Sequence, residues 1–333
     1  MRAVLKTATA QEATSVANVP DPQAGPTDVV MKVEACGLCG SDLHAWRSDP
    51  GYEWVAIPLV MGHEFVGTIT SVGSAVTQWS VGDRAVVVSI QGCLDCDACR
   101  AGLTNRCARR QVIGLNYDGA MAEYVRVPQA YLLPFSATLP ARLGATVEPL
   151  SVAAHAVLTV GEVQAGQKVV VSGAGFIGIA SALIAQDAGA EVILLGAPQD
   201  AGSRIPAAVR LGIDARDVTT TDWGNPDVWV EASGAQSALA AAVETTAIGG
   251  RVSVVGMFTE QPTMKTSLLV RRELTMRGVY ASIAPEYVTV INLLETGRID
   301  PSSLVDEFAL DDAVAAFEAA ARAQTLKPVI VPS

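Results

Sequence analysis

The sequence predicts an α/β protein of two domains: a β-rich, barrel-like domain over residues 1–150 and a doubly wound parallel sheet beyond it. Three observations carry that expectation. Roughly the first 145 residues hold many short β-rich runs punctuated by Gly and Pro, such as 29–33, 65–72 and 84–88, and such spacing marks a barrel. Near residue 146 the texture changes to apolar strands alternating with helical stretches, as in a parallel sheet covered on both faces. The chain, at 333 residues, is long enough for two full cores.

In the second half, segment 151–160 is rich in Ala and Val and reads as a helix. Residues 168–172 form a short apolar strand that runs into Gly173, Ala174, Gly175, Phe176, Ile177 and Gly178, with a helical pattern over 179–188 behind it. Further strands are expected at 192–195, 228–230, 251–255 and 274–279. Helical stretches at 285–296 and 311–323 and a strand at 328–331 close the chain. No internal repeat or low-complexity segment interrupts it.

Half of the residues are hydrophobic and 17% are charged, which is globular composition. The net charge of −11 argues against nucleic acid or an anionic membrane as partner, because both need a basic face. No apolar run of about 18 residues suggests a membrane span, and the N-terminus lacks the apolar stretch of a signal peptide. All six cysteines fall between residues 36 and 107, and metal binding can account for five of them, a usage that fits a reducing cytoplasm.

Gly173, Gly175 and Gly178 sit between a strand and a helix, the context a dinucleotide fingerprint requires. The first permits the tight turn, the second lets the backbone approach a pyrophosphate, and the third lets helix and strand pack closely. The helix start then offers free N–H groups to the phosphates. An acidic residue commonly ends the second strand and holds the adenosine ribose. Here that position is Gly196, and Arg204 follows closely. Both favour NADP over NAD, although a loop could turn Asp200 back onto the ribose. The candidate cofactor residues are therefore Gly173, Gly175, Phe176, Ile177, Gly178, Gly196 and Arg204.

Cys93, Cys96, Cys99 and Cys107 read C-x2-C-x2-C-x7-C, a spacing that wraps four thiolates around one tetrahedral zinc. Disulfides are a poor alternative at such short separations. A closed four-thiolate site is structural, so chemistry needs a second metal. Cys39 and His63 can supply a thiolate and an imidazole, and Glu64 or Glu148 the oxygen ligand. Spacing alone leaves this second site open, since a glycine-flanked Cys or a lone His can equally be a core residue.

The segment Cys36-Gly37-Leu38-Cys39-Gly40-Ser41-Asp42-Leu43-His44, the runs 60–67, 118–124 and 148–156, the four-cysteine lobe and the glycine fingerprint occur together and in order. They resemble the zinc-dependent branch of the medium-chain dehydrogenase/reductase family, most closely its sorbitol (polyol) dehydrogenase-like members. The resemblance covers nearly the whole chain. It implies a GroES-like catalytic domain over 1–150, a Rossmann cofactor domain over 151–281 and a segment 282–333 that returns to the catalytic domain. It implies two zinc ions per chain, and a homo-dimer or homo-tetramer. Cys39 and His63 match catalytic zinc ligands, with Glu64 or Glu148 as the third. Ser41 matches the hydroxyl that bonds the substrate alcohol, and His44 the end of a proton relay. Asp42 is expected to orient a ligand, Cys36 to be a small buried residue, and His155 to be structural. The stretch 212–227 is shorter than the strand and helix the family places there.

The implied reaction is hydride transfer between a secondary alcohol and NAD(P), giving a ketone, with zinc as Lewis acid. A polyol or sugar alcohol is the favoured substrate. A simple secondary alcohol or threonine is the alternative. A non-catalytic protein of the same fold and a zinc-free quinone or enone reductase are competing classes, disfavoured by the intact ligand set. Trp46, Tyr52 and Trp54 either stack on a sugar or fill a core.

Overall fold

The structure is a computed structural model that describes residues 1–332, with the backbone alone at position 12. The chain divides into two compact units. One comprises Met1–Glu148, Ile283–Glu295 and the chain from Leu304 onward; the other comprises Pro149–Ser282 and Thr296–Ser303. Residues 296–303 thus group with the second unit, although the sequence suggests an unbroken return from 282. Within that unit the Arg298 guanidinium lies 2.8 Å from the Asp187 carboxylate at the end of helix Phe176–Asp187.

The first unit is built on a curved, mainly antiparallel sheet. Its strand order is Leu132–Pro134, Arg84–Val87, Glu64–Val72, Asp28–Gly37, Lys327–Val331, Val305–Ala309, and Tyr124–Pro128 also pairs with Asp28–Gly37. Register shifts between Val30 and Met31 and between Val33 and Ala35 bend the long central strand, as bulges do in barrels. Met31, Phe65 and Ile69 face its core, each at most 2% exposed. At the end of that strand, Gly37 lies opposite Glu64 on one side and Val329 on the other. Three distant stretches of chain therefore meet at one residue.

The second unit is a six-stranded parallel sheet ordered Asp214–Asp217, Glu191–Gly196, Lys168–Ser172, Val228–Glu231, Arg251–Val254, Thr275–Gly278. This is the doubly wound arrangement with its switch point beside the strand that leads into the glycine turn. Val170, Leu195, Trp229, Ala242 and Val252 form its core. In the short stretch 212–227 the edge strand Asp214–Asp217 is present, but no helix lies between it and Val228 among the described residues. Trp223 covers the gap: it packs edge-on against Trp229 at 5.9 Å and donates 3.1 Å to Thr245 Oγ1.

The expected helix at 151–160 begins earlier, as Val147–Ala154, and continues as a π-helix over His155–Val160. The helical run Ala141–Val160 is long and apolar enough to cross a membrane by length and composition, a property that inspection of apolar runs misses. Its most apolar window is 83% buried in the fold, as in a core helix.

Candidate active site

Helix Gly40–Arg47 begins just after the strand Asp28–Gly37, and Cys39 is its N-cap. Asp42, in the first turn, accepts a 3.0 Å hydrogen bond from the Cys39 backbone N–H, satisfying a donor left open at the helix start. His63 and Glu64 come in at the start of strand Glu64–Val72. Cys39, His63 and Glu64 each present one ligand atom, and these atoms lie within 4.8 Å of one another.

The trio fits a metal ion. His63 Nδ1, Glu64 Oε1 and Asp42 Oδ1 are buried without a hydrogen-bond partner among the described residues. Orphaned buried groups cost roughly 1–3 kcal/mol each, so they need an explanation. His63 Nδ1 stands 3.4 Å from Asp42 Oδ1, in ion-pair contact but without hydrogen-bond alignment. The carboxylate there favours a proton on Nδ1 and leaves the Nε2 lone pair for a ligand. A thiolate, an imidazole and a carboxylate make a zinc donor set with one position left open. Burial pulls His63 towards neutrality, but Asp42 and Cys39 outweigh it and raise its pKa well above the ordinary value.

Glu64 has a partner that sequence reasoning misses. Lys327 Nζ donates to Glu64 Oε2 in an almost fully buried ion pair and also donates to the Leu38 carbonyl at 3.2 Å. Burial lowers the Lys327 pKa, but Glu64, Cys39 and Glu148 more than offset this and leave it raised. In sequence Lys327 stands 263 residues from Glu64, on a terminal strand with no motif around it.

Glu148 lies outside the ligand trio among the described residues. Its Oε1 accepts a 2.7 Å bond from Ser89 Oγ, and Tyr287 in turn receives the Ser89 backbone N–H at 3.1 Å. Burial pushes the Glu148 carboxyl above its ordinary pKa, ahead of the opposing charge on His63. Ser89 and Tyr287 are site neighbours that carry no sequence signal.

Ser41 Oγ lies 3.4 Å from His63 Nε2. His44 projects from the same helix, and its Nδ1 is bonded to Asp49 Oδ2 at 2.7 Å. Tyr52 stacks on the His44 ring at 4.9 Å and on Trp54 at 6.0 Å, with Trp54 45% exposed. Trp46 instead packs on Phe317 in the core, 4% exposed. Cys36 is fully buried, and a Cβ on Gly62 would come within 2.7 Å of its sulfur. His155 is buried at 3% exposure.

Cys93, Cys96, Cys99 and Cys107 bring their sulfurs within 4.8 Å of one another, and none is in a disulfide. Gly92 makes this possible, since a Cβ there would sit 2.5 Å from the Cys99 sulfur. Backbone N–H groups of Asp95 and Cys96 hold the Cys93 thiol down to about 6. Arg109 donates to the Cys93 sulfur at 3.1 Å, and the Arg109 backbone N–H to Cys107 at 3.3 Å. Donors aimed at sulfur stabilise thiolates, the form that binds zinc.

In the second unit, Gly173 has φ +103°, and a Cβ at Gly178 would fall on the Gly173 carbonyl oxygen. Gly175 differs: a Cβ there would meet nothing of the protein, so the space it leaves is open to a ligand. Gly175 is the N-cap of helix Phe176–Asp187, in which Phe176 is buried and Ile177 half-buried. Gly196 has no room for a side chain, because Ile205 Cγ1 lies 2.7 Å from its missing Cβ. Asp200 is buried and turned onto its own loop: it accepts the Ala197 N–H at 2.9 Å and meets Arg204 at 3.4 Å.

Fold and site together define a zinc- and nicotinamide-dependent oxidoreductase. Residues 25–137 match the alcohol dehydrogenase GroES-like domain, and residues 176–296 match the zinc-binding dehydrogenase domain. An L-threonine 3-dehydrogenase from Saccharopolyspora erythraea is 34% identical over 96% of both chains. An Escherichia coli L-galactonate-5-dehydrogenase is 31% identical over 84% of this chain and 83% of its own. A Sinorhizobium meliloti 1021 protein solved bound to NADP superposes with a TM-score of 0.90 at 30% identity, over 99% of both chains. The chain belongs to the zinc-type medium-chain alcohol dehydrogenase family, among its polyol dehydrogenase-like members.

Proposed function

We propose that this enzyme oxidises a hydroxyl-rich secondary alcohol to a ketone, with Cys39, His63 and Glu64 holding catalytic zinc and the four-cysteine lobe holding structural zinc. The observation that carries the reading is the Cys39–His63–Glu64 trio, whose ligand atoms lie within 4.8 Å of one another and in which Glu64 Oε1 is buried without a hydrogen-bond partner among the described residues. The name of the L-galactonate-5-dehydrogenase relative supports the substrate class, since it specifies a secondary hydroxyl in a polyhydroxy chain, whereas the L-threonine 3-dehydrogenase relative supports the threonine alternative. The ladder of His44, Tyr52 and Trp54 supports it too, as a face on which a polyol can lie.

Zinc, when bound, would supply Lewis acidity at the alcohol oxygen, and a bound nicotinamide would supply the hydride acceptor. The protein's own work is to hold and move the proton. Ser41 bonds the alcohol and takes its proton outward, and His44, oriented by Asp49, receives it. Glu148, biased by burial towards holding a proton, is a second station. NADP is the preferred cofactor: no acid stands at Gly196, where a Cβ would press on Ile205, and Asp200 is engaged by its own loop.

The working form is a homo-dimer or homo-tetramer in the cytoplasm. The open edge strand Thr275–Gly278 and the exposed Ile248, Met257 and Val270 support association, and six cysteines outside disulfides support the compartment. A panel of polyols, simple secondary alcohols and threonine, each offered with NAD and NADP, tests the reading. Fastest turnover on polyols with NADP is expected. Turnover confined to simple alcohols or to threonine would overturn the substrate class.

A further inference from the structure

We propose that Lys327 is a positioning residue for the catalytic metal: it clamps Glu64 by one oxygen and so holds the other in the ligand trio. The inference rests on the zinc reading of Cys39, His63 and Glu64, and it concerns which residue makes that ligand set possible.

Glu64 is wholly buried and Lys327 is 3% exposed. A buried carboxylate needs a compensating charge and hydrogen bond. Lys327 supplies the compensation at Oε2, whereas Oε1 has no hydrogen-bond partner among the described residues. One oxygen is thus committed and the other is available. The Leu38 carbonyl, 3.2 Å from Lys327 Nζ, fixes the ammonium from a second side.

The backbone around the pair is arranged to admit it. Strand Lys327–Val331 pairs with the end of Asp28–Gly37, and the Leu38 N–H donates to the Pro328 carbonyl at 2.9 Å. This brings Lys327 across the chain that leads to Cys39. Gly37 leaves the necessary space: a Cβ there would overlap Glu64 Oε2 and approach Lys327 Cε at 3.0 Å.

Zinc retention tests the proposal without reference to turnover. Wild type, Lys327→Met, Glu64→Gln and the double variant are loaded with zinc and challenged with a chelator, and metal content is followed over time. The four-cysteine lobe serves as the internal reference. Loss of a buried ligand-orienting partner typically weakens metal binding about 10–100-fold. Lys327→Met is expected to lose the catalytic zinc with that increase in ease, while lobe zinc is unchanged. The double variant, which buries no unpaired charge and therefore folds even if Lys327→Met does not, is expected to match Glu64→Gln alone. Unchanged retention in Lys327→Met would overturn the proposal, as would losses that multiply in the double variant. A wild-type protein that holds only lobe zinc would overturn the catalytic zinc reading itself.

Discussion

Ser89 donates its hydroxyl to Glu148 at 2.7 Å, in a pocket where Glu148 is 7% exposed. Glu148 is not in the Cys39–His63–Glu64 group, and we propose that the two carboxylates divide by role, Glu64 as ligand and Glu148 as proton holder.

Ser89→Ala is therefore expected to lower kcat about tenfold or more, the scale of a disturbed proton carrier, with two zinc ions per chain retained. Steady-state kinetics with metal analysis checks this. Loss of zinc with Ser89→Ala would instead place Glu148 among the ligands.

Cys96→Ser removes one of four thiolates from a closed site, and such a metal is coupled to the folding of its lobe. Lower thermal stability and loss of one zinc are expected, with the Cys39 site still loaded. Thermal unfolding with and without chelator measures this. An unaltered melting temperature would contradict a structural role.

Arg204→Ala is expected to reduce kcat/KM for NADP by about ten- to a hundredfold, the worth of one charge-assisted hydrogen bond, and to leave NAD use nearly unchanged. Gly196→Asp does not convert the enzyme cleanly to NAD. Ile205 Cγ1 lies 2.7 Å from the position of the new Cβ, and overpacking of this kind costs about 1–3 kcal/mol. Cofactor kinetics of the first variant and chemical denaturation of the second check both statements.

Glu123 accepts the Arg2 backbone N–H at 2.8 Å and the Arg2 side chain at 3.1 Å, the first of which contributes most to holding its pKa below 4.5. A carboxylate depressed in this way stabilises the fold above its unfolded pKa, and that stability is lost as pH falls through the folded value. Glu123→Gln is thus expected to be less stable than wild type near pH 7, a gap that narrows once pH falls below about 4. Urea midpoints at the two pH values measure it.

Much of the site is legible in the sequence because its chemistry is local. The four lobe cysteines span only 15 residues, and the Gly173–Gly178 turn and the Cys39 cap are each set by a few neighbours. Lys327, Ser89, Asp49 and Tyr287 are illegible for the opposite reason. Lys327 meets Glu64 only because two strands flank Gly37, and pairing across a sheet leaves no spacing pattern in one chain. The exchange of helix for covering Trp223 in 212–227 is also a tertiary choice, since Trp223 acts through its contact with Trp229. Helix Val147–Ala154 starts ahead of the Ala- and Val-rich run at 151–160, because helix ends are set by caps and packing and not by composition alone.

Catalysis at the Cys39–His63–Glu64 zinc is tested most directly by Cys39→Ser, with reduced-nicotinamide absorbance and zinc content followed on the same preparation. The expected result is loss of turnover, one zinc per chain retained in the four-cysteine lobe, and an unchanged fold by circular dichroism. Wild-type turnover in this variant would contradict the assignment of Cys39 to the catalytic metal.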